Sequence, residues 1–159
     1  MQNSAAAKRQ ARLDLEHFVP YRLSVLTNRV SSAIARQYSD RFDLSIPQWR
    51  AMAVLGGTPG LSARDVAERT AMDKVQVSRA VESLVRARRV ARTEDAQDGR
   101  ISRLGLTAKG RAIYDEVVPL ALHLEDVFLS ALKPDERRQL DVLMAKLSRQ
   151  ADLLGGGGK

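Results

Sequence analysis

The chain has 159 residues, which is enough for one domain or for one compact core with long flanking helices. Aromatic residues make up only 4% and cysteine is absent, so the composition favours helices packed on helices and excludes disulfides, thiolate metal sites and cysteine nucleophiles. The formal net charge is +7, and residues 74–103 contribute strongly to it, with eight basic and four acidic side chains.

This uneven charge indicates a positive patch, because residues 104–159 hold eight basic and eight acidic side chains and are neutral on balance. Such a patch is the electrostatic footprint of a polyanion partner, although a merely solvated basic surface gives the same count. No apolar run approaches the roughly 20 residues of a membrane helix, and the segment MQNSAAAKRQARL lacks the apolar core of a secretory signal. We therefore expect a soluble cytoplasmic protein without a membrane partner.

The N-terminal part of the chain predicts two helices. Residues 18–42 form one long amphipathic pattern with Pro20 in its first turn, and its apolar side chains recur at spacings of three and four: Leu23, Leu26, Val30, Ala33, Ile34, Tyr38 and Phe42. A second helix should begin at Ser45, because Ser45 and Gln48 are spaced as a capping box, and it should stop at Gly56-Gly57.

Residues 61–90 predict a helix-turn-helix. Ser62 caps the first short helix, with Asp65 three residues later, and this helix ends near Thr70. After a brief turn, Asp73 caps the second helix. One apolar stripe of the second helix should be buried, and it consists of Val77, Ala80, Val81, Leu84 and Val85. The opposite face carries Val75, Arg79, Glu82, Ser83 and Arg86, flanked by Gln76 and Ser78.

After Val90 the periodicity changes to that of strands, and Asp98-Gly99 marks the turn of a β-hairpin. Thr107 then caps a long helix, in which we expect a kink at Pro119. A final helix begins within residues 133–136, and the terminal GGGGK predicts a flexible tail. Both helices carry apolar ladders, which are Ile113, Val117, Leu120, Leu124, Val127 and Ala131 on the first and Leu140, Leu143, Met144, Leu147 and Leu154 on the second.

A helix-turn-helix followed directly by a β-hairpin is a winged helix, and this order explains the arginines in the hairpin. The second helix fits a major groove, while the hairpin reaches the neighbouring minor groove, where Arg100 at the tip meets a concentrated negative potential. Asp98 is two residues away and can brace the Arg100 guanidinium. On its own, such a pair also fits a surface salt bridge across a turn.

So small a central domain cannot cover the apolar stripes of the helices at both chain ends, whereas a second copy of the chain would bury them. We therefore predict a mainly α fold with a small β-hairpin wing. A winged helix-turn-helix DNA-binding domain, residues 45–107, lies between dimerisation segments. These segments are an N-terminal arm and long helix, 1–44, and the C-terminal helices, 108–154, which the tail 155–159 follows.

Four short motifs, VSRAVESL from Val77, VART from Val90, DGR from Asp98 and LTAKG from Leu106, have the order and spacing of the MarR family of bacterial transcription regulators. The chain resembles this family over nearly its whole length. The resemblance implies a homodimer, held by its terminal helices, that binds palindromic operator DNA, usually as a repressor that a small ligand releases. Arg88 departs from the family pattern, because glycine often closes the recognition helix there, and we expect a different exit geometry.

Residue type assigns roles on DNA to the exposed side chains. On the recognition helix, Val75 can meet a thymine methyl, Gln76 can pair with adenine by two hydrogen bonds, and Arg79 can bind guanine or a phosphate. Ser62 and Arg64 are placed for phosphate contacts at a helix N-terminus. The predicted DNA-contacting set is completed by Lys74, Ser78, Arg86 and Arg103, together with Asp98 and Arg100 of the hairpin. A solvated side chain is the alternative for each residue.

The effector is predicted mainly by exclusion. The absence of cysteine rules out thiol-based peroxide sensing, and the two histidines, His17 and His123, do not form a metal-ligand cluster. The family resemblance suggests an organic anion with an aromatic ring, such as a phenolic acid or its coenzyme A thioester. Candidate ligand-binding residues are Tyr21 and Arg22, with His17 beside them and Trp49 as a wall. Tyr21 and Trp49 also fit a core role, and Arg22 an interface ion pair. No cofactor is predicted.

Two other classes of function compete with a DNA-binding regulator. An enzyme is disfavoured, because the chain has no phosphate-cradling glycine loop, no nucleophile and base arrangement and no carboxylate cluster in an apolar setting. A nonspecific architectural or RNA-binding protein would use the same positive charge without reading bases. Strong preference for one palindrome over random DNA distinguishes a regulator from such a protein. Repression and activation both fit the sequence, as do many operators and inducers.

Overall fold

A computed structural model describes residues 12–156 of the chain. The fold is mainly helical with one two-stranded antiparallel hairpin, as predicted. In chain order the elements are α1 (Val19–Ala35), α2 (Ser39–Phe42), α3 (Ile46–Gly57), α4 (Ala63–Thr70), α5 (Lys74–Arg86), β1 (Val90–Glu94), β2 (Ser102–Leu106), α6 (Ala108–Leu129) and α7 (Pro134–Gly156). Within the described residues, no helix is both long and apolar enough to cross a membrane.

The prediction of a single helix over residues 18–42 is wrong. α1 ends at Ala35, and a turn separates it from the four-residue helix α2. This break directs Tyr38 into the core, where only 1% of the residue is exposed. Asp43, with φ +49°, closes α2 in the left-handed conformation and leads to the cap of the next helix. Apolar spacing continues across the break without glycine or proline, so periodicity did not reveal it.

The predicted helix starts are confirmed. Ser45, Ser62 and Asp73 each form a complete capping box, in which side chain and backbone satisfy each other's hydrogen bonds. Thr107 caps α6 by accepting a hydrogen bond from the Gly110 amide at 3.1 Å. α4 ends at Thr70 as predicted, and Ala71 turns the chain with φ +53°. The caps at Ser62 and Asp73 fix where α4 and α5 of the helix-turn-helix begin, because each cap uses partners only three residues away.

The core lies between α3, α4, α5, the hairpin and the first half of α6. α5 contributes the predicted apolar stripe: Val77, Ala80, Val81 and Leu84 are buried, and Val85 is half-buried. In the hairpin, Val90 pairs with Leu106 and Arg92 with Leu104, so Val90 and Leu104 place apolar side chains in this core. Burial on one stripe leaves the opposite face of α5 in solvent.

From the sequence, a different backbone geometry is expected after α5, because Arg88 stands where the family often has glycine. This expectation is wrong, since the chain leaves α5 in the conformation that favours glycine. Arg88 adopts φ +57°, a conformation that costs an ordinary residue about 1 kcal/mol. Hydrogen bonds on both sides hold it there: its amide donates to the Val85 carbonyl at 2.9 Å, and its carbonyl accepts from Thr107 Oγ1 at 2.7 Å. The local packing therefore outweighs the backbone strain.

The C-terminal helices extend away from this core. α6 runs as one helix through Pro119, and the kink expected there stays a prediction. α7 includes Gly155 and Gly156, so the predicted flexible tail is wrong for these two residues, and 157–159 lie outside the described residues. Glycine is common where a helix ends, which fits this position.

Helices α1, α6 and α7 leave large apolar side chains in solvent. No residue of α1 is buried, and the whole of α7 from residue 141 to 155 is exposed. The most exposed large apolar residues on these three helices are Val19, Leu23, Leu26, Leu122, Val127, Val142, Leu143, Met144, Leu147, Leu153 and Leu154. A grouping of this size on one chain is unusual for a surface that faces only water.

Candidate nucleic-acid interface

The recognition helix α5 presents a polar and cationic face. Lys74, Val75, Gln76, Arg79 and Arg86 are exposed, and Val75 is 58% exposed at the first turn. Among the described residues, Lys74, Arg79 and Arg86 take part in no salt bridge. Arg79 and Arg86 therefore lie free on the face opposite the buried stripe, and Lys74 lies free at the first turn beside the groove that Val77 and Val81 line.

Some polar groups of α5 already have partners in the free chain. The Gln76 backbone amide donates to Asp73 Oδ1 at 2.7 Å, and the side-chain Oε1 of Gln76 accepts from the Asp73 backbone amide at 3.3 Å. Two-pronged pairing of Gln76 with adenine therefore requires Oε1 to leave the capping box. Ser78 Oγ donates to Glu82 Oε1 at 3.1 Å and so holds that carboxylate along the helix.

Sequence reasoning missed a link between α5 and the preceding helix. Gln48 Nε2 donates to Ser83 Oγ at 2.7 Å, while Gln48 Oε1 accepts from the Ser45 amide. Gln48 thus caps α3 and fixes α5 with the same side chain. The capping-box spacing identified the first role, but the second depends on how the helices cross.

The hairpin tip differs from its prediction in one respect. Asp98 does not brace the Arg100 guanidinium; instead Asp98 Oδ1 accepts from the Arg100 backbone amide at 3.0 Å, and the Asp98 carbonyl accepts from the Ile101 amide at 2.9 Å. Short polar side chains bond preferentially to nearby backbone amides in turns, which explains this choice. The Arg100 side chain is exposed and forms no salt bridge with any residue that the structure describes.

Arg103 also has a role other than the predicted contact with the DNA backbone. Its Nε donates to Asp95 Oδ2 at 2.6 Å, and its Nη1 lies 3.4 Å from the Gly60 carbonyl oxygen and 3.9 Å from Asp65 Oδ2. The guanidinium therefore ties the hairpin to the start of α4 and is largely used inside the protein.

Asp95 is the functional residue that sequence reasoning overlooked. Its Oδ1 accepts from the amides of Gln97 and Asp98 at 2.9 and 3.0 Å, while Oδ2 binds Arg103. The hydrogen bond from Arg103, followed by those from the backbone amides, lowers the pKa of Asp95 from 3.8 to about 2. Arg103 pairs with Thr93 in the hairpin, and Asp95 lies two residues further along, so the spacing of the hairpin was the available signal.

Ser62 and Arg64 at the start of α4 also have bonding partners within the protein. Ser62 Oγ donates to Asp65 Oδ2 at 2.8 Å and accepts from the Asp65 amide at 3.2 Å. The Ser62 backbone amide also donates to Asp65 Oδ2, at 2.9 Å, and this bond together with the one from the Ser62 hydroxyl is the main cause of a lowered pKa at Asp65. Arg64 Nε is 3.0 Å from Glu68, but this pair is exposed, so water and phosphate compete for the guanidinium easily.

The structure brings together only part of the predicted effector site. Tyr21 and Arg22 line a groove of about 290 Å³ on α1, together with Glu16, Val25, Leu26 and Arg29. His17 is not part of this lining and pairs with Asp14 at 2.8 Å. Arg22 is exposed in the single chain.

Trp49 does not form a wall of that groove. Its ring lies between those of Tyr38 and Tyr114, with centroid distances of 5.6 and 6.1 Å, and packs against the core. Burial raises the pKa of Tyr38 to about 12, with an opposing contribution from Arg50, so Tyr38 stays neutral at physiological pH. The aromatic stack joins α3 to α6 and has a core role.

Known proteins resemble this chain in sequence and in fold. A sequence model of the MarR family matches residues 42–101. The HTH-type transcriptional regulator BilQ of Clostridium symbiosum is 32% identical over 95 residues, which are 60% of this chain and just under two thirds, 66%, of BilQ.

Solved structures overlap over a longer range. The PcaV transcriptional regulator of Streptomyces coelicolor, in complex with its natural ligand, has a TM-score of 0.75 and 26% identity, covering 89% of this chain and 99% of PcaV. BpsR of Bordetella bronchiseptica, whose DNA binding 6-hydroxynicotinic acid regulates, has a TM-score of 0.77 and 26% identity, covering 87% and 98% of the two chains.

The likeness is therefore not limited to a generic helix-turn-helix. The family match runs from the end of α2 to the hairpin tip, and the structural overlap takes in most of the long helices at both ends. These relatives are regulators of transcription and not enzymes. Residues 42–101 match the MarR family in sequence, and the chain as a whole has the winged helix-turn-helix fold of that family's transcription regulators.

Proposed function

We propose that the protein is a homodimeric repressor that binds a palindromic operator and is released by a small organic anion. One observation carries the DNA-binding part of the proposal: the exposed face of α5 and the hairpin strands border the same groove, which Lys74 and Ser78 of α5 line together with Arg92 and Ser102 of the hairpin. Both elements can therefore reach one duplex at the same time.

The roles on DNA follow from what each side chain is free to do. Val75 and Arg79 face outward from α5 and read base edges in the major groove, Arg79 by pairing with guanine. Arg100, which has no salt-bridge partner among residues 12–156, enters the adjacent minor groove from the hairpin tip. Lys74, Arg86 and Arg64 bind phosphates. Ser62, Ser78, Asp98 and Arg103 bond within the protein as described above, and so they hold α4, α5 and the hairpin around the residues that contact DNA.

A second copy of the chain covers the exposed apolar faces. A groove of about 440 Å³ lies between α1, α6 and α7, and one of about 300 Å³ lies between α1 and α6. Apolar side chains such as Val30, Ile34 and Phe128 line both. α7 makes few contacts within its own chain, so packing against another copy is what would hold it in place. Two recognition helices related by a two-fold axis then match a palindromic site.

The effector in this proposal is an aromatic carboxylate. The groove on α1 offers Tyr21 for ring contact and two arginines, Arg22 and Arg29, for the carboxylate, beside the single acid Glu16. PcaV was solved with its natural ligand, and 6-hydroxynicotinic acid, itself an aromatic acid, regulates BpsR. Residues of a second copy would complete this open groove, because α1 belongs to the exposed apolar surface.

Replacing Arg100 by alanine should weaken operator binding by about 1 to 3 kcal/mol, the scale of one good groove contact. Fluorescence anisotropy at fixed salt, with operator and random duplexes side by side, measures the effect. Unchanged affinity would remove the hairpin tip from the mechanism. Equal affinity of the wild type for operator and random DNA would instead identify a nonspecific architectural protein.

Asp95→Asn should lower operator affinity, although it removes a negative charge beside DNA, because the hairpin loses the group that orients Arg103 and the turn amides. Glu94→Gln is the matched control: it removes the same charge from the same hairpin and should leave affinity equal or slightly higher. An increase in affinity for Asp95→Asn would show that bulk charge, not hairpin order, governs binding.

Asp95 also makes a pH-dependent contribution to stability. Its folded pKa of about 2 lies below the ordinary 3.8, so its stabilising contribution is present above pH 3.8 and is lost as pH falls through about 2. The difference in Tm between wild type and Asp95→Asn should therefore be constant at neutral pH and shrink below pH 4. A difference that stays constant down to pH 2 would contradict the role of the ionised carboxylate.

Leu147→Glu should convert the dimer to monomers and abolish tight operator binding. Leu147 is 53% exposed on α7, so the substitution does not disturb the core of one chain. Ser148→Glu places the same charge at the next, polar position and should leave the dimer intact. Sedimentation velocity at micromolar concentration measures both; a Leu147→Glu protein that remains dimeric would place the interface elsewhere.

Phenolic acids or their coenzyme A thioesters should raise the Tm of the wild type and release operator DNA, since saturation at about 100 times Kd stabilises by roughly 2.7 kcal/mol. Arg22→Gln should reduce both effects. Arg36→Gln, which removes the same charge just beyond the end of α1 and outside the groove, should retain them. Equal responses of the two variants would exclude the α1 groove as the site.

A further inference from the structure

The groove between α5 and the hairpin has an apolar floor and a cationic rim. Its volume is about 330 Å³. The floor consists of Val77, Val81 and Leu104, which are all buried to 2% exposure or less. The rim carries cations from three separate elements, Arg64 of α4, Lys74 of α5 and Arg92 of β1.

These two layers match one repeating unit of the DNA backbone. A phosphate needs cationic or N–H donors, whereas the carbon face of deoxyribose needs only apolar contact. A base would need hydrogen-bond partners for its edge, and the floor offers none. The hydroxyl of Ser102 lies on the same lining and can donate to a phosphate oxygen, whereas the hydroxyl of Ser78 already donates to Glu82 Oε1.

We propose that this groove holds one sugar–phosphate unit of the operator backbone, with its phosphate bound by Arg92 and Lys74. The inference rests on the proposed DNA-binding function and adds Arg92 to it, a residue that sequence reasoning left out of the contact set. Arg64 is tied to Glu68, whereas Arg92 and Lys74 take part in no salt bridge within the described part of the chain.

The single carboxylate on the rim gives a further test of the phosphate assignment. Glu82 accepts from Ser78 Oγ at 3.1 Å and is the one acidic residue among those that line the groove. Opposed to three cations, it limits how much negative charge the groove can accept. A phosphate in the groove therefore binds against Glu82, and removal of this charge must strengthen binding to any DNA sequence.

A backbone contact has a different signature from a base contact. Releasing one condensed counterion changes the slope of log K against log salt by about 0.9, which corresponds to roughly tenfold in affinity near 0.1 M salt. The loss applies equally to operator and random DNA, since both have the same backbone. Loss of a base contact lowers operator affinity alone and leaves the slope unchanged.

The test is a salt titration of Arg92→Ala with the intact chain on operator and random duplexes. Affinity for both should fall by the same factor, about tenfold near 0.1 M salt, with the slope reduced by roughly one, and Arg92→Lys should restore the slope. Lys74→Gln should behave like Arg92→Ala, whereas Glu82→Gln should raise affinity for both duplexes. Arg149→Ala, which removes the same charge from α7, should change neither slope nor affinity.

Three results would overturn the inference. They are an unchanged slope in Arg92→Ala with native Tm, a loss confined to the operator, and a fall in affinity for Glu82→Gln. Failure of the wild type to bind any DNA is a separate outcome, because it refutes the proposed function itself and is seen before any variant is compared.

Discussion

The binding surface depends on the burial of one stripe of α5. Val77, Val81 and Leu84 are almost fully buried, and each such side chain contributes about 1.5 to 3 kcal/mol by leaving water. This burial sets the rotation of the helix about its axis, so the identity of the outward residues is decided by the inward ones. The cap at Asp73 fixes where the helix begins, and Arg88 and Thr107 fix how the chain leaves it.

Around this helix the aspartates bond within the protein, whereas five basic side chains are exposed and take part in no salt bridge among the described residues: Lys74, Arg79, Arg86, Arg92 and Arg100. Asp65 and Asp73 cap helices, and Asp95 and Asp98 hold the hairpin turn by accepting from backbone amides. Their negative charge is therefore balanced by internal donors. The positive excess of the 74–103 segment, read from the sequence as a patch, is sharper in three dimensions than the residue count suggests.

Local chemistry was predictable from sequence, whereas geometry that depends on distant residues was not. The helix caps at Ser45, Ser62 and Asp73 and the buried stripe of α5 follow from spacing alone, because their partners lie within one or two helical turns. The break after Ala35 and the position of Trp49 depend on packing between helices, which periodicity does not encode. Arg103 was assigned to DNA because its partner Asp95 becomes a neighbour only once the hairpin forms.

The same distant contacts connect the recognition helix to the helices at the chain ends. The Arg89 guanidinium donates to the carbonyls of Phe42 and Asp43, and the Arg89 carbonyl accepts from the Thr107 amide at 3.0 Å. Gly110 must remain glycine at this point, because a Cβ there would lie 2.0 Å from the Arg89 carbonyl oxygen.

Arg89, a single residue just beyond the end of α5, therefore contacts both the turn that follows α2 and the first turn of α6. Further along α6, both Nη atoms of Arg111 donate to the Gly56 carbonyl at 3.1 Å and so fasten α6 to the end of α3. A rotation of α6 relative to this lobe would break hydrogen bonds at both places at once. Small, gradual tilts are therefore disfavoured. In the proposed dimer, an effector that acts through the terminal helices would move each winged lobe as a unit, and this would change the spacing of the two recognition helices and not the shape of either.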